Sequence, residues 1–161
     1  KMANLAKLVV MRSPVFRDVV EMERSTLSLR SRKLFTLSAI YSATSTLLAG
    51  QKNDSLEQKA DLAASFWEET ARQFPEWEQV RSRKMPAGEV RRDFIHSHAI
   101  ALQAIGKVGN FLLNERTTSW KRPLKGLRTI NWLRSNAKLW EGAAKVTLAD
   151  PLRHGGKPAA E

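Results

Sequence analysis

The sequence predicts an all-α domain, on three observations. Apolar residues recur at steps of three and four along most of the chain, the period of an amphipathic helix. No strand-type alternation runs beyond a few residues. The stretch from Glu89 to Glu115, EVRRDFIHSHAIALQAIGKVGNFLLNE, carries two such rows side by side. Ile95, Ala99, Leu102, Gly106, Gly109 and Leu113 form one row; Phe94, His98, Ala101, Ile105, Val108 and Leu112 form the other. Two adjacent rows predict a central helix, at about residues 90–114, covered on much of its circumference, with six to eight helices in all. A mid-helix glycine costs ~1 kcal/mol against alanine. The expected compensation at Gly106 and Gly109 is close approach of another helix backbone, since no Cβ stands in the way.

The other elements follow in chain order. Residues 3–11 make a short helix with Leu5, Leu8 and Val9 on one side. No start signal precedes it, and the chain reads as a piece of a longer protein. Ser13-Pro14 opens a second short segment, proline being well placed in a first helical turn. Val15, Phe16, Val19 and Val20 give that segment its apolar side. Ser25 to Ser31 is a polar loop, in which Ser28 or Ser31 supplies the cap for a helix from Arg32 to Ala49. Leu34, Leu37, Tyr41, Thr44 and Leu48 form its inner row, and Gly50 its stop. Arg32 and Lys33 would sit in its first turn, where the helix dipole disfavours cations unless an anion is near. Asn53-Asp54-Ser55 has N-cap chemistry for a helix of about Leu56 to Phe74, with Leu56, Ala60, Ala63, Trp67, Ala71 and Phe74 inward. Glu57, Asp61, Glu68 and Glu69 lie on its polar side. Pro75 restarts the chain, and Met85-Pro86-Ala87-Gly88 breaks it before the central helix. After Glu115, Pro123 and Gly126 keep helices short, with Ser119 and Ser135 as caps. Residues 1–146 are expected to form the domain and 147–161, rich in Gly, Pro and Ala, a tail.

The chain has 161 residues, the size of one ordinary domain. It has no cysteine, which excludes disulfides and thiol chemistry and is consistent with a cytoplasmic protein. No apolar run approaches the ~20 residues of a membrane span, and no signal peptide is expected. The formal net charge is +11 and the pI about 10.4. Residues 116–161 hold ten Lys/Arg against three Asp/Glu, so the basicity concentrates at the C-terminal end. This balance calls for a polyanionic partner, nucleic acid ahead of membrane.

Enzymatic chemistry finds no support. The histidines do not make a zinc site, because three or four convergent ligands are needed. His96 and His98 point to opposite sides of a helix, and His154 is in the tail. His98 is expected to pack or cap and His96 to lie at the rim. No carboxylate pair, phosphate loop or nucleophile elbow is present. Gly106-Lys107-Val108-Gly109 lies inside a helical pattern and is not a phosphate loop. No catalytic residue, metal or cofactor is therefore assigned.

Three basic groups remain as candidates. Lys121, Arg122, Lys125, Arg128, Arg134 and Lys138 interleave with Trp120, Trp132 and Trp140, a composition that suits phosphate and base contact. The cations are assigned to phosphates; the tryptophans are assigned to the core, because Trp is largely buried on average. Arg81, Arg83, Lys84, Arg91 and Arg92 form the second group, ahead of the central helix. Arg24, Arg30, Arg32 and Lys33 form the third. Whether the groups share one face is not decided by sequence.

Three stretches carry a family resemblance: VFRDVVEMERSTLSLRSRKLFTLSAIYSAT (15–44), VRRDFIHSHAIALQAIGKVGN (90–110) and LKGLRTINWLRSNAKLWEG (124–142). Together they resemble the C-terminal half of the DndB family of DNA sulfur modification proteins, which carry a DGQHR domain. The resemblance implies a bacterial system that replaces a non-bridging phosphate oxygen of DNA with sulfur. It implies a regulator that binds DNA near the modification genes and represses them, not the sulfur-transferring enzyme. The partner implied is promoter duplex DNA. The N-terminal half with the DGQHR motif is not in this chain, and after Gly142 the sequence departs from the family pattern. The alternative is a protein-interaction module. Its apolar face around Gly106 and Gly109 would form a homo-oligomer seam or pack on that N-terminal half.

Overall fold

The computed structural model describes residues 2–51, 54–115 and 119–136. Helix α1 (Met2–Arg12) leads into a 3-10 turn at Pro14–Phe16 and a two-residue strand β1 (Val20–Glu21). Strand β2 (Phe35–Thr36) pairs with β1 in parallel, Val20 opposite Phe35. Then come α2 (Leu37–Leu47), α3 (Leu56–Ala71), α4 (Pro75–Arg81), α5 (Ala87–Asp93), α6 (Ala99–Asn114) and α7 (Lys121–Leu124), which runs into a 3-10 turn at Lys125–Thr129. The domain is mostly helical, with seven α-helices among the described residues.

The central pairing is α2 on α6. A Cβ at Gly106 would stand 2.6 Å from the carbonyl oxygen of Ala43, and one at Gly109 would stand 2.5 Å from Leu47 and Phe66. The expected close approach of a helix backbone is thus met at Gly106, and a packed side-chain wall at Gly109. Asn110 Nδ2 reinforces the crossing by donating to the carbonyls of Leu47 and Ala49 at 3.1 and 2.7 Å. Around this pair lie Phe16, Phe35, Phe66, Trp67, Phe74 and Trp77, each fully buried. Both buried indoles find acceptors: Trp67 Nε1 donates to Thr44 Oγ1 at 3.0 Å and Trp77 Nε1 to His96 Nδ1 at 3.1 Å.

The expected helix at 90–114 is broken. Asp93 ends α5, Phe94 is extended and bridges to Leu133, and His98 opens α6. The cause is tertiary. Ile95 N donates to the Trp132 carbonyl at 3.0 Å and Arg134 N to the Asp93 carbonyl at 2.8 Å. A strand-like crossing by residues 132–134 therefore supplies the bonds a helix would have supplied. His96 is not at a rim: it is 1% exposed, stacked on Phe94 at 5.1 Å. The second helix also starts later than expected. Residues 32–34 are not helical, Phe35–Thr36 form β2, and Thr36, not Ser28 or Ser31, caps α2 by accepting from Ala39 N at 3.2 Å. Leu34, Thr44 and Leu48 of the expected inner row are buried, but Tyr41 is turned outward, and Ala39, Ile40, Ala43 and Leu47 join the inner side.

Two starts agree with the sequence. Ser55 caps α3 through a reciprocal box with Gln58, and Pro75 opens α4. Trp120 and Trp132 are core anchors as expected, packed on Phe66 at 5.9 Å and on Phe74 at 5.1 Å. Trp140, Lys138, His154 and the 147–161 segment lie outside the described residues.

Candidate nucleic-acid interface

Arginine carries its charge on a planar fork that serves either carbonyls or phosphates. The candidate cations divide along that line. Arg91, half-buried on α5, donates to the carbonyls of Ser28, Leu29 and Ser31 at 2.9, 3.2 and 3.0 Å, and also to that of Lys33. Burial lowers the pKa of its guanidinium from the ordinary arginine value. The residue fastens the 28–33 loop to α5. Gly88 completes the seat, since a Cβ there would meet the Leu29 carbonyl at 2.9 Å.

Arg81 is likewise engaged, with Glu78 and the Pro14 carbonyl. Arg128 donates to Gln73 Oε1 at 2.8 Å and to the Arg72 carbonyl at 3.4 Å. Arg134 Nη2 donates to the Arg91 carbonyl at 3.3 Å. Arg92 pairs with Asp93 through Nε and Nη2 at 2.9 and 3.2 Å, on the surface. Such an exposed pair is worth little and opens readily for a stronger anion.

Among the candidates, Arg30, Arg32, Arg83, Lys84, Lys121, Arg122 and Lys125 are exposed and form no side-chain hydrogen bond or ion pair with another described residue, as is also true of Lys7, Arg17 and Lys107 outside the three groups. Lys121 Nζ lies 5.6 Å from the centre of the Trp120 ring. Arg24 is exposed in the same way, while Lys33 Nζ donates to the Asp18 carbonyl at 3.0 Å. The folding of the chain also links the three basic groups. Arg91 grips the loop of the third group with its side chain, and with its carbonyl it receives Arg134 of the first. Arg30 and Arg32 were legible only as members of a charge cluster; that they sit on a loop fastened to α5 is new from the structure.

His98 sits at this junction. Its Nε2 lies 2.7 Å from the Arg91 carbonyl and 3.1 Å from Arg134 Nη2. A neutral imidazole with its proton on Nε2 gives two donors converging on one oxygen. Burial, ahead of the nearby Arg134 charge, holds the His98 pKa below the ordinary 6.5. The unfolded chain then takes up the proton more readily than the folded one. Stability accordingly falls as pH drops from above 6.5 through the lowered folded value. Glu76 adds to this at lower pH. Beside His96, its carboxyl is held below the ordinary 4.5, so its contribution is present above 4.5 and lost as pH falls through the lowered value. His98→Gln, which retains a donor for the Arg91 carbonyl, is expected to flatten the fall in melting temperature between about pH 8 and 5. An unchanged pH profile in the variant would contradict that assignment.

Among the described residues no His, Cys, Asp and Glu cluster of metal-binding size is found. No helix among them is long and apolar enough to cross a membrane. Fold and site together define a small basic helical domain with unpartnered cations on its loops and on one short helix. The model of one family, DndB, described as DNA-sulfur modification-associated, matches residues 1–148. The chain belongs to the DndB family. No curated protein and no solved structure matches it.

Proposed function

We propose that this domain binds duplex DNA through its phosphate backbone and acts as a transcriptional repressor of a DNA sulfur modification gene cluster. The observation that carries the reading is the set of exposed candidate cations whose side chains form no hydrogen bond or ion pair with a described residue: Arg24, Arg30, Arg32, Arg83, Lys84, Lys121, Arg122 and Lys125. The membership in a DNA-sulfur modification family supports the choice of DNA among polyanions. Arg81, Arg91, Arg128 and Arg134 have a structural part in this reading: they hold the loops and the 132–134 crossing that present the others. Fluorescence anisotropy with a labelled promoter duplex of the modification cluster, against a scrambled duplex, tests it. Preference for the promoter is the expected result. Equal binding to both duplexes would leave a backbone clamp without readout, and no binding would reject the reading.

A second reading, a protein-interaction module, draws on a different observation. Ile100, Val108 and Phe111 stand 40%, 47% and 64% exposed along the outer side of α6. Gly106 and Gly109, expected to mark such a seam, are instead consumed by α2 and Phe66 inside the domain.

A further inference from the structure

We infer that Leu29 is an apolar wedge that enters the DNA and bends it, with Arg30 and Arg32 holding the flanking phosphates. The inference rests on the DNA reading above and assigns its contact geometry. Leu29 is 95% exposed, the highest value among the exposed large apolar side chains. It occupies the tip of a turn closed by Ser31 N donating to the Ser28 carbonyl at 3.0 Å. Turn tips favour Gly, Asn, Asp and Pro, and nothing in the turn itself calls for leucine.

The turn is held in place rather than hanging in solvent. The Arg91 guanidinium takes the carbonyls of Ser28, Leu29 and Ser31, and Lys33 N donates to Ser31 Oγ at 3.1 Å. The Leu29 carbonyl seats against Gly88, where any side chain would collide. The Arg91 bonds turn these backbone oxygens toward α5, and the Leu29 side chain is left exposed. Just after it in the chain, Arg30 and Arg32 are exposed and bond to no described residue. An apolar point on a fastened turn, with two free guanidinium groups within the next three residues, suits a partner with an apolar interior and an anionic rim. Duplex DNA has both: stacked bases inside and phosphates outside. Proteins that bend DNA insert such apolar side chains between base steps, at the cost of unstacking, and prefer flexible pyrimidine–purine steps.

The test uses the 161-residue chain and an end-labelled duplex with central TA steps, reading affinity by anisotropy and bend by energy transfer. The wild-type chain is expected to bend the duplex by roughly 20–90°. Leu29→Ala is expected to lose most of the bend and about tenfold in affinity on TA steps, with the salt slope unchanged. Arg30→Ala and Arg32→Ala are each expected to lower the salt slope by about one unit. Because Leu29 is exposed, its variant should melt with the wild type, which separates a contact from a folding defect. A Leu29→Ala chain that binds and bends like the wild type would overturn the wedge while leaving the DNA reading standing. A wild-type chain that binds without bending would do the same. A wild-type chain that binds no duplex would overturn the DNA reading, and the wedge with it.

Discussion

Gly106→Ala is expected to destabilise the domain by about 2–3 kcal/mol, although alanine is the better helix former by ~1 kcal/mol. Overpacking wins because of what the new Cβ would meet. It would stand 2.6 Å from the Ala43 carbonyl oxygen and 3.3 Å from the carbonyl carbon, both backbone atoms of α2. Neither can swing aside, so α2 and α6 must separate. Separation loosens Leu47 and Leu102, both fully buried, and strains the Asn110 bonds to the Leu47 and Ala49 carbonyls. Gly109→Ala should cost less, because the tips of Leu47 and Phe66 that it meets belong to side chains. Ala43→Gly should not rescue Gly106→Ala, since the obstacle is a carbonyl and not the Ala43 methyl. Thermal or urea denaturation checks the ordering. A Gly106→Ala chain as stable as the wild type would mean that the helices do not approach so closely.

Arg91→Ala is expected to cost about 3 kcal/mol in stability, or roughly 6–12 °C in melting temperature. It removes the donor for four loop carbonyls at once. Each orphaned buried carbonyl carries a penalty of about 1–3 kcal/mol. The sum stays well below four such terms, because Leu29 and Arg30 are exposed and water can reach part of the loop. Arg91→Lys should recover little, since a single ammonium group cannot span carbonyls that the planar fork reaches together. The same change should weaken DNA binding, although Arg91 points into the protein, because Arg30 and Arg32 lose their fixed platform. Denaturation and anisotropy on one preparation check both expectations. Full stability in Arg91→Ala would show that the loop holds itself.

The sequence made the α6 core row legible because glycine at Gly106 and Gly109 is hard to explain in any exposed helix. It also made Ser55 and Pro75 legible, since capping chemistry is local. The break at 94–97 was hidden because Phe94 and Ile95 keep the helical apolar rhythm. What ends the helix is residues 132–134, some forty positions along the chain, and no local pattern records them. His96-Ser97-His98 did contain a weak cue, three poor helix formers ahead of an alanine-rich start. The site was legible as charge and illegible as division of labour. An arginine that seats a loop and one left free at the surface use the same fork, and only the groups around Arg91, Arg81, Arg128 and Arg134 tell them apart. Lys138, the remaining candidate, lies outside the described residues.

The central claim is that the unpartnered cations meet phosphates. The most direct measurement is the slope of log K against log salt for duplex binding, in the wild type and in the Lys121→Ala/Arg122→Ala/Lys125→Ala chain. With up to about eight phosphate contacts the wild-type slope should reach about −7, and the triple variant should be shallower by roughly three units. Equal slopes in the two chains, or wild-type binding that does not change with salt, would contradict it.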